Sequence, residues 1–559
     1  MQSFHSFIYF FSNFPSYILL MKRLIFLLIT LYSSLFNFAQ VNLTASNLPI
    51  VVITQPSGQT INDVTRIVCD MGIIYNGVGT TNLINNPYNN YNGKIAIEVR
   101  GSTSQQYPKK NYGFETQNAL GANNNVSLLG LPIENDWVLY GPYPDKTLLR
   151  DVLTYDLSKK FGHYASNWKH CELIIDGEYK GVYVLLERIK RDNNRVDIAN
   201  LDVDDLAGDS LTGGYIVKVD KLTGEVGYSW TSNYNNEVVF QFHDPEFDEL
   251  NPIQSSYMEN FIGDFEDAVW GPQFDDPSVG YAAYIDKTSF YDFFILQELG
   301  RTVDGYRSSS FMHKDKTNGA WNGKLVAGPM WDFNLSYGNA DYCDADLTTG
   351  WQYNFDEICD FTSAIPFWWE KLLSSPSYRN GLRCRWDELR EGPLHTDSVN
   401  YFIDSMANYL TDARIRNFTK WPIIGQYVNW NAFVGATYEE DLSFLKQYIE
   451  TRSLWMDANI PGVCDLAVEE QAFVPQYCKV WPNPMSDLGY IGFTLFKNDA
   501  IQFEMYDLTG RIVLFEDFGE LTTGEHAAEI STRSLLPGNY IYKVKGSIEQ
   551  LFTGKIIIK

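Results

Sequence analysis

Lys324-Leu325-Val326-Ala327-Gly328-Pro329, followed by Trp331-Asp332-Phe333-Asn334-Leu335-Ser336-Tyr337-Gly338, is the stretch on which the reading of this chain turns. An apolar run of strand length, closed by Gly-Pro, delivers an acidic residue flanked by two large aromatic side chains. Ser310 to Lys314 lies upstream at hairpin distance, so the two runs predict a β-hairpin that ends on Asp332. Before the hairpin, Ser289 to Leu299 has a helical apolar period. Between helix and hairpin stands Arg301-Thr302-Val303-Asp304-Gly305-Tyr306-Arg307, a second acidic residue at an element boundary.

Upstream, Ile50 to Glu115 alternates short β-branched runs, such as Ile50 to Thr54 and Lys94 to Val99, with Asn/Gly turns, and reads as mostly β. Leu149, Val152, Leu153, Leu157 and Phe161 are spaced as one helix face, and Gly162 follows as a C-terminal glycine would. Lys169 to Ile175 and Gly181 to Leu186 flank Asp176-Gly177-Glu178, a hairpin signature, and the strand Gly214 to Val219 adjoins it. Beyond about residue 255 helical periods dominate, among them Ser398 to Thr411 and Glu439 to Met456. A strand-rich part therefore precedes a helix-rich part. After Cys478, Val480-Trp481-Pro482-Asn483-Pro484 opens a new series of strands, with turns at Tyr506-Asp507-Leu508-Thr509-Gly510 and Leu536-Pro537-Gly538-Asn539-Tyr540; this predicts a separate β-sandwich.

The 559 residues exceed what one compact core of about 100 to 200 residues holds. A net charge of -26 surrounds the chain with an anionic field that repels nucleic acid and anionic lipid. With 45% hydrophobic and 20% charged residues the composition is globular, so the 15% of aromatics belong to cores and clefts. Met21, Lys22 and Arg23 precede an apolar run from Leu24 to Phe38 and the small Ala39, the pattern of a cleaved signal peptide over residues 1–39 with Met21 as the true start. No later segment has the length and apolarity of a membrane span. All seven cysteines lie beyond Ala39, and in an exported chain they are expected to pair rather than bind metal. Sequence proximity favours Cys343 with Cys359 and Cys464 with Cys478.

Glu98-Val99-Arg100-Gly101-Ser102-Thr103-Ser104 and Tyr107-Pro108-Lys109-Lys110-Asn111-Tyr112-Gly113-Phe114 resemble the signature of the CotH family of atypical kinase-like proteins. So do Asn135-Asp136-Trp137, Leu149-Arg150-Asp151, Gly177-Glu178-Tyr179-Lys180-Gly181-Val182-Tyr183, Glu187-Arg188-Ile189-Lys190, Gly213-Gly214-Tyr215 and Trp331-Asp332-Phe333. Together they span about residues 90 to 460. From Val480 onward the chain resembles the sorting domain of the Bacteroidetes type IX secretion system. The implied fold is α+β: a two-lobed kinase-like domain over 45–463, a linker over 464–479 and an all-β sandwich over 480–559. The implied partner is the type IX secretion machinery, and the implied location is the cell surface or the medium.

The family resemblance also implies a function, an exported kinase that uses ATP and Mg²⁺ (or Mn²⁺) to phosphorylate Ser or Thr of a surface or secreted protein. A kinase-like fold that has lost catalysis and serves as a surface binding or scaffolding module is the alternative. Phosphoryl transfer needs donors and cations for phosphates, oxygen ligands for the metal, and a carboxylate for the accepting hydroxyl. The Gly101 turn with Arg100 or Lys110 offers the first. Alternation along a strand sends Lys109 and Lys110 to opposite faces, and Lys110 is expected inward. Glu187, after an apolar strand, is placed near the nucleotide base or against a lysine; a surface ion pair with Lys190 is the alternative. Asp304 stands where a kinase-like fold keeps its catalytic carboxylate, although Asp-Gly also makes a plain turn. Asp332 occupies the position of a kinase metal ligand. In Asp332-Phe333-Asn334-Leu335-Ser336-Tyr337-Gly338, Asn334 replaces the second acid of the family motif and offers a carbonyl oxygen without charge.

Overall fold

The computed structural model describes residues 41–222, 228–359, 363–464, 478–495, 498–508, 510–546 and 550–559. The expected signal peptide and most of the expected linker lie outside these residues. The chain divides into two compact units, Met1–Cys464 and Asp465–Lys559.

The first unit begins with a closed barrel. Its strands are β1 (Ile50–Thr54), β2 (Ile67–Ile74), β3 (Tyr91–Arg100), β4 (Asn111–Gln117), β5 (Asp136–Tyr140), β6 (Trp168–Ile175) and β7 (Glu178–Glu187). They follow the order β1-β2-β3-β4-β5-β7-β6, and the parallel pair Ile50↔Glu172 closes the ring. In β4, Tyr112, Phe114 and Thr116 point inward and their neighbours outward, the period of two that fills a small barrel with side chains. Trp137, Ile95, Ile97, Leu173 and Leu185 complete that interior. The β6–β7 turn sits where the sequence puts it: Asp176 and Gly177 have φ of 51° and 77°, the left-handed pair of a tight hairpin. Between β5 and β6, α1 (Arg150–Lys160) ends as expected, with Gly162 N–H on Lys159 O and His163 N–H on Ser158 O.

A second, antiparallel sheet is ordered β9-β10-β8-β11-β12, from β8 (Tyr215–Val219), β9 (Ser229–Thr231), β10 (Val239–Asp244), β11 (Ser310–Lys314) and β12 (Leu325–Ala327). Helices pack around it: α2 (Pro252–Trp270), α3 (Lys287–Gly300), α4 (Pro376–Glu391), α5 (Thr396–Tyr409), α6 (Thr411–Lys420) and α7 (Tyr438–Asn459). Every residue of α3 from Ser289 to Gly300 is buried, so this helix is the axis of the larger core. The hairpin expected at Ser310 to Pro329 is β11–β12.

The second unit is all β. A three-stranded sheet (Cys478–Trp481, Leu488–Leu495, Gly524–Ser531) and a four-stranded one (Asp499–Tyr506, Ile512–Leu521, Gly538–Lys545, Gln550–Ile558) share a core with Ile491, Phe493, Ile501, Phe503, Val544 and Ile556. The chain is thus α+β with a C-terminal all-β region.

One cysteine pairing differs from expectation. Cys343 joins Cys359, but Cys464 joins Cys384, not Cys478; among the described residues Cys69, Cys171 and Cys478 are free. Cys384 lies on α4, and packing of that helix brings it within 4.6 Å Cα–Cα of Cys464 across a separation of 80 residues. A loop of that length stabilises by roughly 4 to 5 kcal/mol in the chain-entropy model. Peptide mapping without reductant is expected to recover a Cys384–Cys464 peptide pair, and Cys384→Ser to lower stability by an amount of that order; a Cys464–Cys478 pair would contradict the fold.

Candidate functional site

Asp304 follows α3 and Asp332 follows β12, and the fold brings them near enough for the charge of Asp304 to act on Asp332. Asp332 has a left-handed backbone, φ 68°, which costs a non-glycine residue on the order of 1 kcal/mol or more. Burial pushes its carboxyl up to about 7, and the charges of Asp304, Asp151 and Asp220 push the same way, while Lys221 opposes them. Asp304 is also raised, first by burial; Lys221 and Arg307 act against the shift and Asp220 with it. Both residues are of intermediate exposure overall, with their carboxyl groups largely desolvated. Asn334 donates its amide to Asp332 Oδ1 at 3.0 Å. Tyr342, beside the Cys343–Cys359 loop, feels both Asp304 and Asp332.

The barrel reaches this loop through Arg100. Arg100 ends β3, opposite Asn111 of β4, and its guanidinium lies 5.6 Å from the ring centroid of Trp331. Tyr155 of α1 stacks on the other side of that indole region, centroids 6.1 Å apart. Gly101 has φ 102°, and a Cβ there would stand 2.1 Å from Ser104 Oγ, so glycine is required. The turn after it is tied by Gln105 Nε2 to Gly101 O at 2.6 Å. Lys110 spends its ammonium on Gln105 O in the same turn.

The two lysines do part to different sides, but the inward one is Lys109. Its ammonium is buried, bonds Val182 O at 2.6 Å and Asn417 Oδ1 at 2.9 Å, and is lowered to about 7 by desolvation. Regular pairing of β4 starts at Asn111, so alternation counted through Lys109 and Lys110 does not set their directions. The lysine that acts on the carboxylates is Lys221, just after β8; Asp220 beside it pairs with Lys218 at 3.2 Å. An Asp-Lys step ending the apolar run Ile216 to Val219 is the sequence signal that would have pointed there.

Glu187 ends β7 and is fully buried. Its Oε2 accepts from Tyr164 OH at 3.1 Å and from Asn167 N and Nδ2, both at 2.9 Å. The alternative of a surface pair with Lys190 is excluded, because Lys190 binds Glu134 at 2.9 Å and Asp136 at 2.6 Å. The connector after Glu187 is fixed by His243, whose Nε2 meets Ile189 O at 2.9 Å while its ring lies edge-on to Phe311. Burial, together with Arg188 and Lys218, lowers this imidazole to about 3, so it is neutral and Ile189 O accepts from it.

Among the described residues no three His, Cys, Asp or Glu side chains are grouped to hold a cation unaided. Two oxygen-bearing side chains, Asp332 and Asn334, stand together instead, beside carboxylates that Lys221 and Arg307 only partly offset. The donor set suits a hard divalent ion that completes its shell with ligand oxygens. An enclosed cavity of about 120 Å³, lined among others by His163, Asp292, His313 and Met330, contains none of these carboxylates.

Comparison with known proteins gives a CotH kinase protein match over residues 97–456 and a secretion system C-terminal sorting domain match over 479–559. No curated protein matches the chain. Among solved structures, a Pseudomonas fluorescens alkylpurine DNA glycosylase AlkC bound to DNA containing an abasic site analog aligns at 15% identity over 35% of this chain and 55% of that one, with a TM-score of 0.14, too low to bear on fold or function. The sorting domain marks the protein as secreted or displayed at the cell surface through the type IX machinery. No helix among the described residues is long and apolar enough to cross a membrane. The chain belongs to the CotH kinase family and ends in a secretion sorting domain.

Proposed function

We propose that the protein is an exported phosphotransferase of two-lobed kinase type, which transfers the γ-phosphoryl group of ATP to a Ser or Thr hydroxyl of a surface or secreted protein. The observation that carries this reading is the approach of Asp304 and Asp332 from separate elements, with Lys221 acting on both and Arg100 against the neighbouring Trp331. The barrel is one lobe, the second sheet with its helices the other, and the segment after Glu187 connects them.

In this reading Asp332 and Asn334 hold Mg²⁺ (or Mn²⁺), which when bound neutralises phosphate charge and orients the γ-phosphoryl group. Arg100 and the backbone at Gly101 face phosphate oxygens. Asp304 orients the acceptor hydroxyl and takes its proton as the oxygen bonds to phosphorus, and ADP departs. Lys110 and Glu187 support the turn and the connector respectively, because their polar ends are already engaged within the protein.

Calorimetry on the exported chain is expected to detect ATP binding that requires Mg²⁺ or Mn²⁺ and is lost in Asp332→Ala. Asp304→Ala should keep that binding and lose transfer by about 10²- to 10⁴-fold. Absence of binding in the unmutated protein would instead favour a kinase-fold scaffold.

The raised Asp332 carboxyl gives a pH prediction. Its folded value, about 7, exceeds the ordinary 3.8, so the ligand-free folded state takes up protons that the unfolded chain has released between these values. Stability from this group is present at low pH and lost as pH rises to about 7. Cation binding needs the ionised form and weakens as pH falls below about 7. Asp332→Asn is therefore expected to stabilise the ligand-free protein at pH 8 by on the order of 2 to 4 kcal/mol, with little gain near pH 4; thermal melts at both pH values check it.

A further inference from the structure

Leu149-Arg150-Asp151 takes no part in the chemistry above, yet it lies against the Asp332 loop. Phe333 N–H donates to Asp151 Oδ1 at 2.8 Å, Arg150 Nε donates to Ser336 O at 3.0 Å, and the hydroxyls of Thr154 and Tyr337 meet at 2.7 Å. One segment of chain, the start of α1, thus grips the loop at positions 333, 336 and 337. The preceding residues continue the contact, since Asn339 Nδ2 bridges Pro144 O at 3.3 Å and Asn334 O at 2.7 Å.

The gripping segment is itself held rigidly. Asp145 Oδ2 accepts from the backbone N–H groups of Leu149 and Arg150, both at 2.9 Å, and Asp145 Oδ1 pairs with Arg150 Nη1. Asp151 sits in the first turn of α1, where a carboxylate commonly serves the helix's own N–H groups. Here it reaches outward to another element. The hydroxyls of Tyr140 and Tyr155 also turn to this carboxyl, Tyr155 OH at 3.5 Å from Oδ1. Asp332 and Tyr337 both have left-handed backbones, at φ 68° and 52°, a conformation that persists only where the surroundings over-determine it.

We propose that Asp151, with Arg150 and Thr154, is a positioning residue: the start of α1 clasps the loop from Asp332 to Tyr337 and fixes the backbone that holds Asp332 and Asn334 together. Its consequence for ligand binding rests on the phosphotransferase reading; the clasp itself does not. Geometry of this kind must be held to a fraction of an ångström by groups whose own positions are locked, which is what Asp145 does for Arg150.

Amide hydrogen exchange on the full exported chain, compared among the unmutated protein, Asp151→Ala, Asp151→Asn and Thr154→Val, tests the clasp. Peptides covering residues 331–338 are expected to exchange at least ten-fold faster in Asp151→Ala, with peptides of the barrel and of α3 unchanged. Asp151→Asn keeps an oxygen acceptor and should restore most of the protection, while Thr154→Val should loosen the same peptides. Unchanged exchange in 331–338, or acceleration spread evenly over the domain, would overturn the proposal; if Asp151→Ala does not fold, Thr154→Val against Asp151→Asn decides by the same criterion. In parallel, Mn²⁺-dependent ATP binding should weaken at least ten-fold in Asp151→Ala and stay within about three-fold in Asp151→Asn. If the unmutated protein binds no ATP, the phosphotransferase reading fails and the exchange result still decides the clasp.

Discussion

Carboxylates gathered away from bulk water repel one another, and each resists ionisation in proportion to its burial. The first unit of this protein sets Asp332 among Asp304, Asp220 and Asp151, with Lys221 as the principal opposing charge. No arrangement of the core requires this. The helix α3 could end, and the hairpin β11–β12 could close, on neutral residues. Asp304 follows α3, Asp332 follows β12 and Asp220 follows β8, while Arg100 at the end of β3 lies against Trp331.

Left-handed backbone recurs in the segments that present these carboxylates. Arg301, Tyr306, Ser309, Asp332 and Tyr337 all have positive φ, and all lie in the two segments that present the carboxylates. Positive φ also occurs elsewhere, at Leu129, at Asp176 in the β6–β7 turn and at Trp430 among others, so such backbone is not confined to these segments. The Cys343–Cys359 loop, with Tyr342 beside the site, gives the same region a covalent border suited to an oxidising compartment. The sorting domain accords with that compartment.

Legibility in the sequence followed the range of the interaction involved. The hairpin at Asp176-Gly177, the helix ending at Gly162 and the strand pair leading to Asp332 are local patterns, and they stand where the residues place them. Asp304 and Asp332 could be named from motif position, although only the fold brings them near each other. Lys109 and Lys110 could not be told apart, because they precede the regular pairing of β4 and alternation has no hold on them. Cys384 found Cys464 through helix packing rather than nearness in the chain. Glu187 could be read as a surface partner of Lys190, and is buried against Tyr164 and Asn167 while Lys190 pairs with Glu134 and Asp136. Asp220 and Lys221 gave only a weak local sign, an Asp-Lys step closing an apolar strand, and their part depends on a sheet whose neighbours are distant in sequence.

The most direct test of the central claim is a crystal structure of the exported chain grown with Mn²⁺ and a non-hydrolysable ATP analogue, read through the anomalous signal of the metal. The account predicts an anomalous peak coordinated by Asp332, with Asn334 alongside, bridged to the analogue's phosphates, and Asp304 open toward the γ-phosphate. An ordered nucleotide elsewhere on the molecule, or a metal peak remote from Asp332, would contradict it.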